Sequence, residues 1–210
     1  MPRLSMEQER ERLFKMREYE RMYADRGLIA GIDEAGRGPL FGPVTAAAVI
    51  LDPDTEILYL NDSKKLSEKR RALLYDEIMK KAIAVGVGMV SARLIDDMNI
   101  LQATYEAMRE AAEKLSPRPD FILIDAVTIP HFDIPQLPII KGDAKSASIA
   151  AASIIAKVTR DRLMDEYDKE YPGYGLAKNK GYGTAEHIEA LRRLGPTPLH
   201  RRSFIKHFTE

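Results

Sequence analysis

Phe121-Ile122-Leu123-Ile124 is a continuous apolar run closed by an acid, Asp125. Successive side chains of a strand point to opposite faces, so a run with no polar position suits a strand buried on both faces. Such a strand needs covers, and the chain supplies them. Residues 4–26 read as a helix: charged, free of Gly and Pro, with Leu13, Met16, Tyr19, Met22 and Tyr23 near helical spacing and Gly27 as its stop. Ser67 can cap a helix running to about Ala84, with Leu73, Leu74, Ile78 and Met79 on its buried side. Leu101–Leu115 is a further helix, stopped by Pro117 and Pro119. Ser146–Tyr171 is the longest, and the small residues of its first half let its axis lie close to a neighbour. Thr184 caps another, Thr184–Leu194, ended by Gly195-Pro196.

Leu28–Asp33, Val44–Leu51 and Ala84–Ser91 read as the other strands, with the Gly/Pro-rich turn 36–43 joining the first two. A Pro-rich loop over 127–138 leads to a short strand, Ile139–Lys141. Strands first, then alternating helices and strands, predict an α/β chain: a mixed sheet covered by helices. The length, 210 residues, suits one large domain or one domain plus a small appendage.

Composition removes several functional classes. Without cysteine there is no disulfide, thiolate metal site or Cys nucleophile, and a reducing compartment is the simple reading. Met1–Arg26 lacks the apolar stretch of a secretory signal. The longest apolar run, Val44–Leu51, falls far short of the roughly 20 residues that span a bilayer, so no membrane partner and a cytoplasmic location are expected. Formal net charge is zero, but its distribution is uneven: Leu176–Glu210 carries seven Lys/Arg against three Glu. Lys64, Lys65, Lys69, Arg70 and Arg71 form a second basic knot. Each cluster reads equally well as a solvated surface or as a phosphate-binding one.

The chemistry concentrates in Gly31-Ile32-Asp33-Glu34-Ala35-Gly36-Arg37-Gly38-Pro39. Adjacent carboxylates suit a hard cation, and a Gly-rich turn lets a nucleic-acid backbone approach main-chain amides. Asp125 ends the buried strand, and Asp143 stands just ahead of the long helix. Ligand sites in open α/β sheets gather at the carboxyl ends of strands. Singly, each acid reads as turn or cap chemistry. Converging, the four would repel one another unless cations intervened, and two Mg²⁺ about 3.5–4 Å apart would form a clamp for phosphoryl displacement. Neighbouring strand residues point apart, so either the strand bends at Asp33-Glu34 or Glu34 engages partly through its carbonyl.

These stretches resemble bacterial ribonuclease HII, within the ribonuclease H-like superfamily. Asn61-Asp62-Ser63-Lys64-Lys65-Leu66, Ile124-Asp125, Lys141-Gly142-Asp143, Ala151–Asp161, Tyr171–Gly175, Lys180-Gly181-Tyr182-Gly183-Thr184 and His200-Arg201-Arg202-Ser203-Phe204 extend the likeness, in family order, over about residues 28–208. Ala126 and Ala144 depart from it, standing where Gly and Ser are common. The resemblance implies a mixed five-stranded sheet flanked by helices with a helical C-terminal part. It implies a catalytic domain over 28–210, including that part from about 172, and an accessory N-terminal helix over 1–27. It further implies an endoribonuclease that cuts the RNA strand of RNA/DNA hybrids and the 5′ side of single ribonucleotides embedded in duplex DNA. Its roles would be ribonucleotide removal and RNA primer processing.

Carried over by motif, Asp33, Glu34, Asp125 and Asp143 would be both catalytic and metal-binding, holding two Mg²⁺ or Mn²⁺ ions. Gly36, Arg37 and Gly38 would read the ribose 2′-hydroxyl, the group that distinguishes RNA from DNA. Tyr182 would stack on the adjacent deoxyribose. Lys64, Lys65 and Lys180 would hold phosphates. Water attack would give a 3′-hydroxyl and a 5′-phosphate without a catalytic histidine, which leaves His187 and His200 as surface or phosphate contacts. A monomer is the default, since no long apolar seam is visible. Rival readings are a two-metal nuclease acting on DNA, a non-catalytic duplex-binding module and a small-molecule phosphatase.

Overall fold

The computed structural model describes residues 5–209, with side chains through 208. Its sheet has five strands in the order β3-β2-β1-β4-β5. They are β1 (Ile29–Ala35), β2 (Val44–Ile50), β3 (Ala84–Val90), β4 (Phe121–Asp125) and β5 (Gln136–Ile139). β2 pairs antiparallel with β1 and β3, whereas β1/β4 and β4/β5 are parallel. The mixed sheet read from the sequence is therefore present, with the double-buried run Phe121–Ile124 beside β1.

Each face of the sheet has its own helix. Ile32, Ala46, Ala48, Ile122 and Ile124 pack against α5 (Ile100–Glu113) through its Ala103, Ala107, Met108 and Ala111. Ala47 and Val49 on the opposite face meet α6 (Ala147–Glu170), which is buried at every position from 147 to 156. Small residues make that approach possible. A Cβ on Gly31 would stand 2.1 Å from the Ser148 carbonyl carbon, so only glycine lets β1 and α6 lie this close. α3 (Glu68–Lys81) covers the outside of α6 with Leu74 and Ile78. Leu73 and Met79, expected on that buried side, are 56% and 49% exposed. The stripe that meets α6 is a single i, i+4 row, and both residues lie off it.

The expected N-terminal helix is two helices, α1 (Met6–Met16) and α2 (Glu18–Met22), followed by a 3₁₀ turn at Ala24–Arg26. They part at Arg17, and residue 4 lies outside the described residues. α4 (Ala92–Met98), capped by Ser91, was not anticipated. β5 begins at Gln136, earlier than expected, and Lys141 has left the strand for a left-handed conformation. The C-terminal segment folds as α7 (Leu176–Asn179), α8 (Ala185–Leu194) and α9 (Arg202–Thr209). A separate small core of Leu40, Phe41, Met164, Tyr174, Leu176, Leu191 and Ile205 joins it to α6 and to the 36–43 turn. Among the described residues no helix is long and apolar enough to cross a membrane.

Candidate active site

β1 and β4 run parallel, with Ile32 opposite Ile124, so the acids after them come out at the same edge. Asp33 pairs with Ala47, on the α6 side, and Glu34 with Ala46, on the α5 side. The ladder continues to Ala35, so the strand does not bend between the two acids. Asp33 is only 6% exposed. Its Oδ1 accepts the Glu34 main-chain N–H at 2.7 Å, and Ser153 on α6, whose hydroxyl donates to Ser63 Oγ at 2.9 Å, is a near neighbour that lowers its pKa slightly against the rise from burial. Asp125 accepts the main-chain N–H of Gly142 at 2.6 Å, which places Asp143 next to it.

The four acids are mutually repulsive. Burial, and then Glu34, hold the Asp33 carboxyl well above the ordinary carboxylate range. Glu34 is raised by burial, with Arg37 opposing and Asp125 adding to the rise. Asp143 is raised by burial, Asp62 and Asp125. Asp62 is thus a fifth carboxylate at the site, one the sequence reading did not single out. The stretch Asn61-Asp62-Ser63-Lys64 carried the resemblance, but only its lysines were given a role; Asp62 also caps the Lys64 N–H at 2.9 Å. Lys64 faces this cluster: burial lowers its pKa, but Asp33, Asp62, Asp143 and Glu34 together raise it further.

An all-oxygen set of crowded carboxylates fits a hard divalent cation, which would relieve the repulsion. Among the described residues no three such groups form a ready metal cage, so the side chains must turn to hold an ion.

Beside the acids, Gly36 has φ +91° and a Cβ there would stand 2.1 Å from Arg160 Nε, so the turn admits only glycine at this point. Arg37 is exposed and lies 3.5 Å from Glu34 Oε1. The Tyr182 ring faces Gly38: its Cε1 is 3.7 Å from where a Cβ would stand. The Gly-Arg-Gly turn and Tyr182 therefore stand together.

Both basic clusters divide into exposed and structural members. Lys64 and Lys65 are exposed. Arg71 turns inward to the carbonyls of Ser63 and Leu66, at 3.0 and 2.6 Å, and Arg70 stacks on Tyr59. Lys180 is paired with Asp165. Arg160 and Arg201 are fully buried and bind main-chain carbonyls. Nothing in the sequence reading assigned them a role, because burial of an arginine is decided by partners far away in the chain.

His187 and His200 overturn their expected place on the surface. They are 0% and 1% exposed and stand 3.2 Å apart, Nε2 to Nε2. Burial, then His187 and Arg202, push His200 down to about 3, and burial also lowers His187. Neither is a phosphate contact.

Comparison with known proteins accords with this arrangement. The family model described as Ribonuclease HII matches residues 30–207. A ribonuclease HII of Lachnoclostridium phytofermentans is 66% identical over 201 residues, 96% of this chain and 79% of that one. The ribonuclease H2 of Pyrococcus horikoshii superposes with TM-score 0.72 at 28% identity, over 87% of this chain and 97% of that one. The ribonuclease HII of Archaeoglobus fulgidus, solved in complex with PCNA, gives 0.70 at 29% identity over the same shares. The matched sequence covers most of the chain and the solved folds superpose on it, and the chain belongs to the ribonuclease HII family of endoribonucleases, hydrolases that act on RNA/DNA hybrids.

Proposed function

We propose that this chain cleaves the RNA strand of hybrids and the 5′ side of single ribonucleotides embedded in duplex DNA, by two-metal-ion hydrolysis. The observation that carries this reading is the crowding of Asp33, Glu34, Asp125 and Asp143 next to a Gly-Arg-Gly turn that shares its surface with Tyr182. The four carboxylates would hold Mg²⁺ or Mn²⁺. When bound, such ions supply Lewis-acid activation of a water and stabilise the leaving 3′ oxygen. The chain's own groups do the rest. The Glu34 N–H orients the Asp33 carboxylate. Lys64 supplies positive charge facing the acids, where a phosphate would enter.

The Gly36-Arg37-Gly38 turn would meet the 2′-hydroxyl with main-chain groups. Tyr182 would tolerate a deoxyribose beneath its ring and crowd a ribose, so the pair selects a junction. Lys64, Lys65 and Lys180 would hold phosphates, which position a duplex without reading its sequence. The unit that acts would be residues 28–210, including the helical part from about 172, with 1–27 attached to it. Ribonucleotide removal and primer processing follow from that substrate class, and a cytoplasmic monomer would carry them out.

A substrate panel tests this reading: duplex DNA with one ribonucleotide, a continuous hybrid and all-DNA duplex, each with Mg²⁺, Mn²⁺ or EDTA. Cuts 5′ of the ribonucleotide, leaving a 3′-hydroxyl and abolished by EDTA, are expected. Cleavage of all-DNA duplex at comparable rate, or no cut at a single ribonucleotide, refutes it.

A further inference from the structure

Arg201 has no acidic partner within ion-pair distance among the described residues, yet it is completely buried. Its donors all go to one stretch of main chain. Nε binds the Gly42 carbonyl at 2.9 Å, Nη1 that of Arg37 at 2.8 Å and Nη2 that of Gly36 at 2.6 Å. In a trans peptide the C=O and the following N–H point in opposite directions. With the carbonyls of residues 36 and 37 drawn to Arg201, the N–H groups of Arg37 and Gly38 point away from it. Neither finds an acceptor among the described residues. Two adjacent amide donors are thus aimed outward beside the acids.

The preceding residue anchors the other half of the same surface. The Thr197 main-chain N–H can only donate, so His200 Nδ1, 3.0 Å away, accepts. The His200 proton then sits on Nε2 and is donated across 3.2 Å to His187 Nε2. His187 in turn carries its proton on Nδ1, which donates to the Tyr182 carbonyl at 2.9 Å. Both rings are neutral in this chain, and each ring nitrogen has one assigned role. The segment is itself pinned: Arg201 N–H donates to the Leu40 carbonyl at 2.8 Å, and Asp96 on α4 accepts the N–H groups of Arg202 and Ser203 at 2.7 and 2.9 Å.

We infer that His200 and Arg201 form one positioning hub for sugar recognition: Arg201 sets the Gly36-Arg37-Gly38 amides and His200, through His187, sets Tyr182. The inference rests on the proposed junction reading by that turn and that tyrosine. It explains why these two adjacent residues, which supply no carboxylate to the proposed metal site, are buried, and why the two sugar-facing elements, about 145 residues apart in sequence, keep one spacing.

The test compares kcat/KM for a single embedded ribonucleotide with that for a continuous hybrid, together with Tm, in the full chain. Arg201→Lys keeps the charge but cannot reach three carbonyls. His187→Leu removes the donor to Tyr182, whereas His187→Asn keeps a donor where Nδ1 stood. Arg201→Lys and His187→Leu are expected to lower the ratio of the two kcat/KM values about tenfold, the worth of one hydrogen bond, and His187→Asn to restore most of it. Both substrates losing kcat/KM equally, with a fallen Tm, overturns the inference and leaves a purely structural role. Should Arg201→Lys fail to fold, the His187 pair decides alone. Tyr182→Ala separates the two levels. If it retains the wild-type ratio, the junction reading itself fails. If it loses the ratio while Arg201→Lys and His187→Leu retain it, only the hub fails.

Discussion

Asp33 shows how a proposed metal ligand works against the fold. It is buried beside Glu34 and Asp125, and its carboxyl is held well above the ordinary range. A carboxyl whose folded pKa exceeds its unfolded one stabilises the protein at low pH, and that contribution is lost as pH rises above the ordinary value near 4. At neutral pH without metal, Asp33 therefore lowers stability. Asp33→Asn is expected to abolish cleavage while raising stability in EDTA by about 1–2 kcal/mol, a rise of roughly 2–8 °C in Tm. The gain should shrink when Mg²⁺ stabilises the wild type by mass action. Thermal melts with and without Mg²⁺ check this, and an EDTA Tm below wild type contradicts it. The acid was legible because an acid closing a strand before Gly-Arg-Gly is local information. His187 and His200 were not, because the rings packed on them include Phe41 and Tyr174 as well as each other, contacts made across the fold in a segment whose composition is charged. Arg160 and Arg201 were hidden for the same reason: their ligands are carbonyls, which carry no side-chain signature.

At the level of elements, α1 turns out to brace the loop that carries Lys64. Glu9 is 1% exposed and accepts from Arg12 Nη2 and from the Tyr59 main-chain N–H, both at 2.6 Å. Arg12 also donates to the Leu60 carbonyl at 2.6 Å. Tyr59 has φ +69°, a conformation that a bulky residue adopts only when held there. Asn61-Asp62-Ser63-Lys64 follows directly, and Arg71 grips its far end. Glu9→Ala leaves the Tyr59 N–H and the half-buried Arg12 unmet, and is expected to destabilise by about 2–4 kcal/mol in urea unfolding. It should also raise KM for a hybrid more than it lowers kcat; a loss below about 0.5 kcal/mol, typical of surface changes, removes the brace. Of the elements, α6 was the most legible, since its extent follows from an unbroken helical composition between Ser146 and Tyr171. The break at Arg17 was not, because Arg17 bonds the carbonyls of Asp52, Pro53 and Thr55, a contact across the fold. The short α4 owes its place to the C-terminal helix that its Asp96 caps, again a tertiary cause.

For the whole molecule, zero net charge conceals a sorting of cations by environment. Arg160 and Arg201 are buried on carbonyls, Arg71 is turned inward, and Lys178 and Lys180 are paired with Glu186 and Asp165. Lys64 and Lys65 remain exposed at the acidic edge, where Lys65 lies only 3.9 Å from Asp62. Binding to a duplex releases counterions in proportion to the phosphates neutralised, so log K falls with log salt at about 0.7–0.9 per contact. The environments then rank the lysines. Lys64→Ala is expected to flatten the slope by about one contact and to weaken binding most at low salt. Lys180→Ala should flatten it less, because Asp165 already neutralises much of that ammonium. Titrations of a cleavage-dead Asp33→Asn protein against a hybrid, from low to moderate salt with Ca²⁺ in place of Mg²⁺, measure both slopes. Equal decrements would mean that Lys180 leaves Asp165 when the duplex binds. A larger decrement at Lys180 would move the phosphate track from the Lys64 loop to the Tyr182 side of the site.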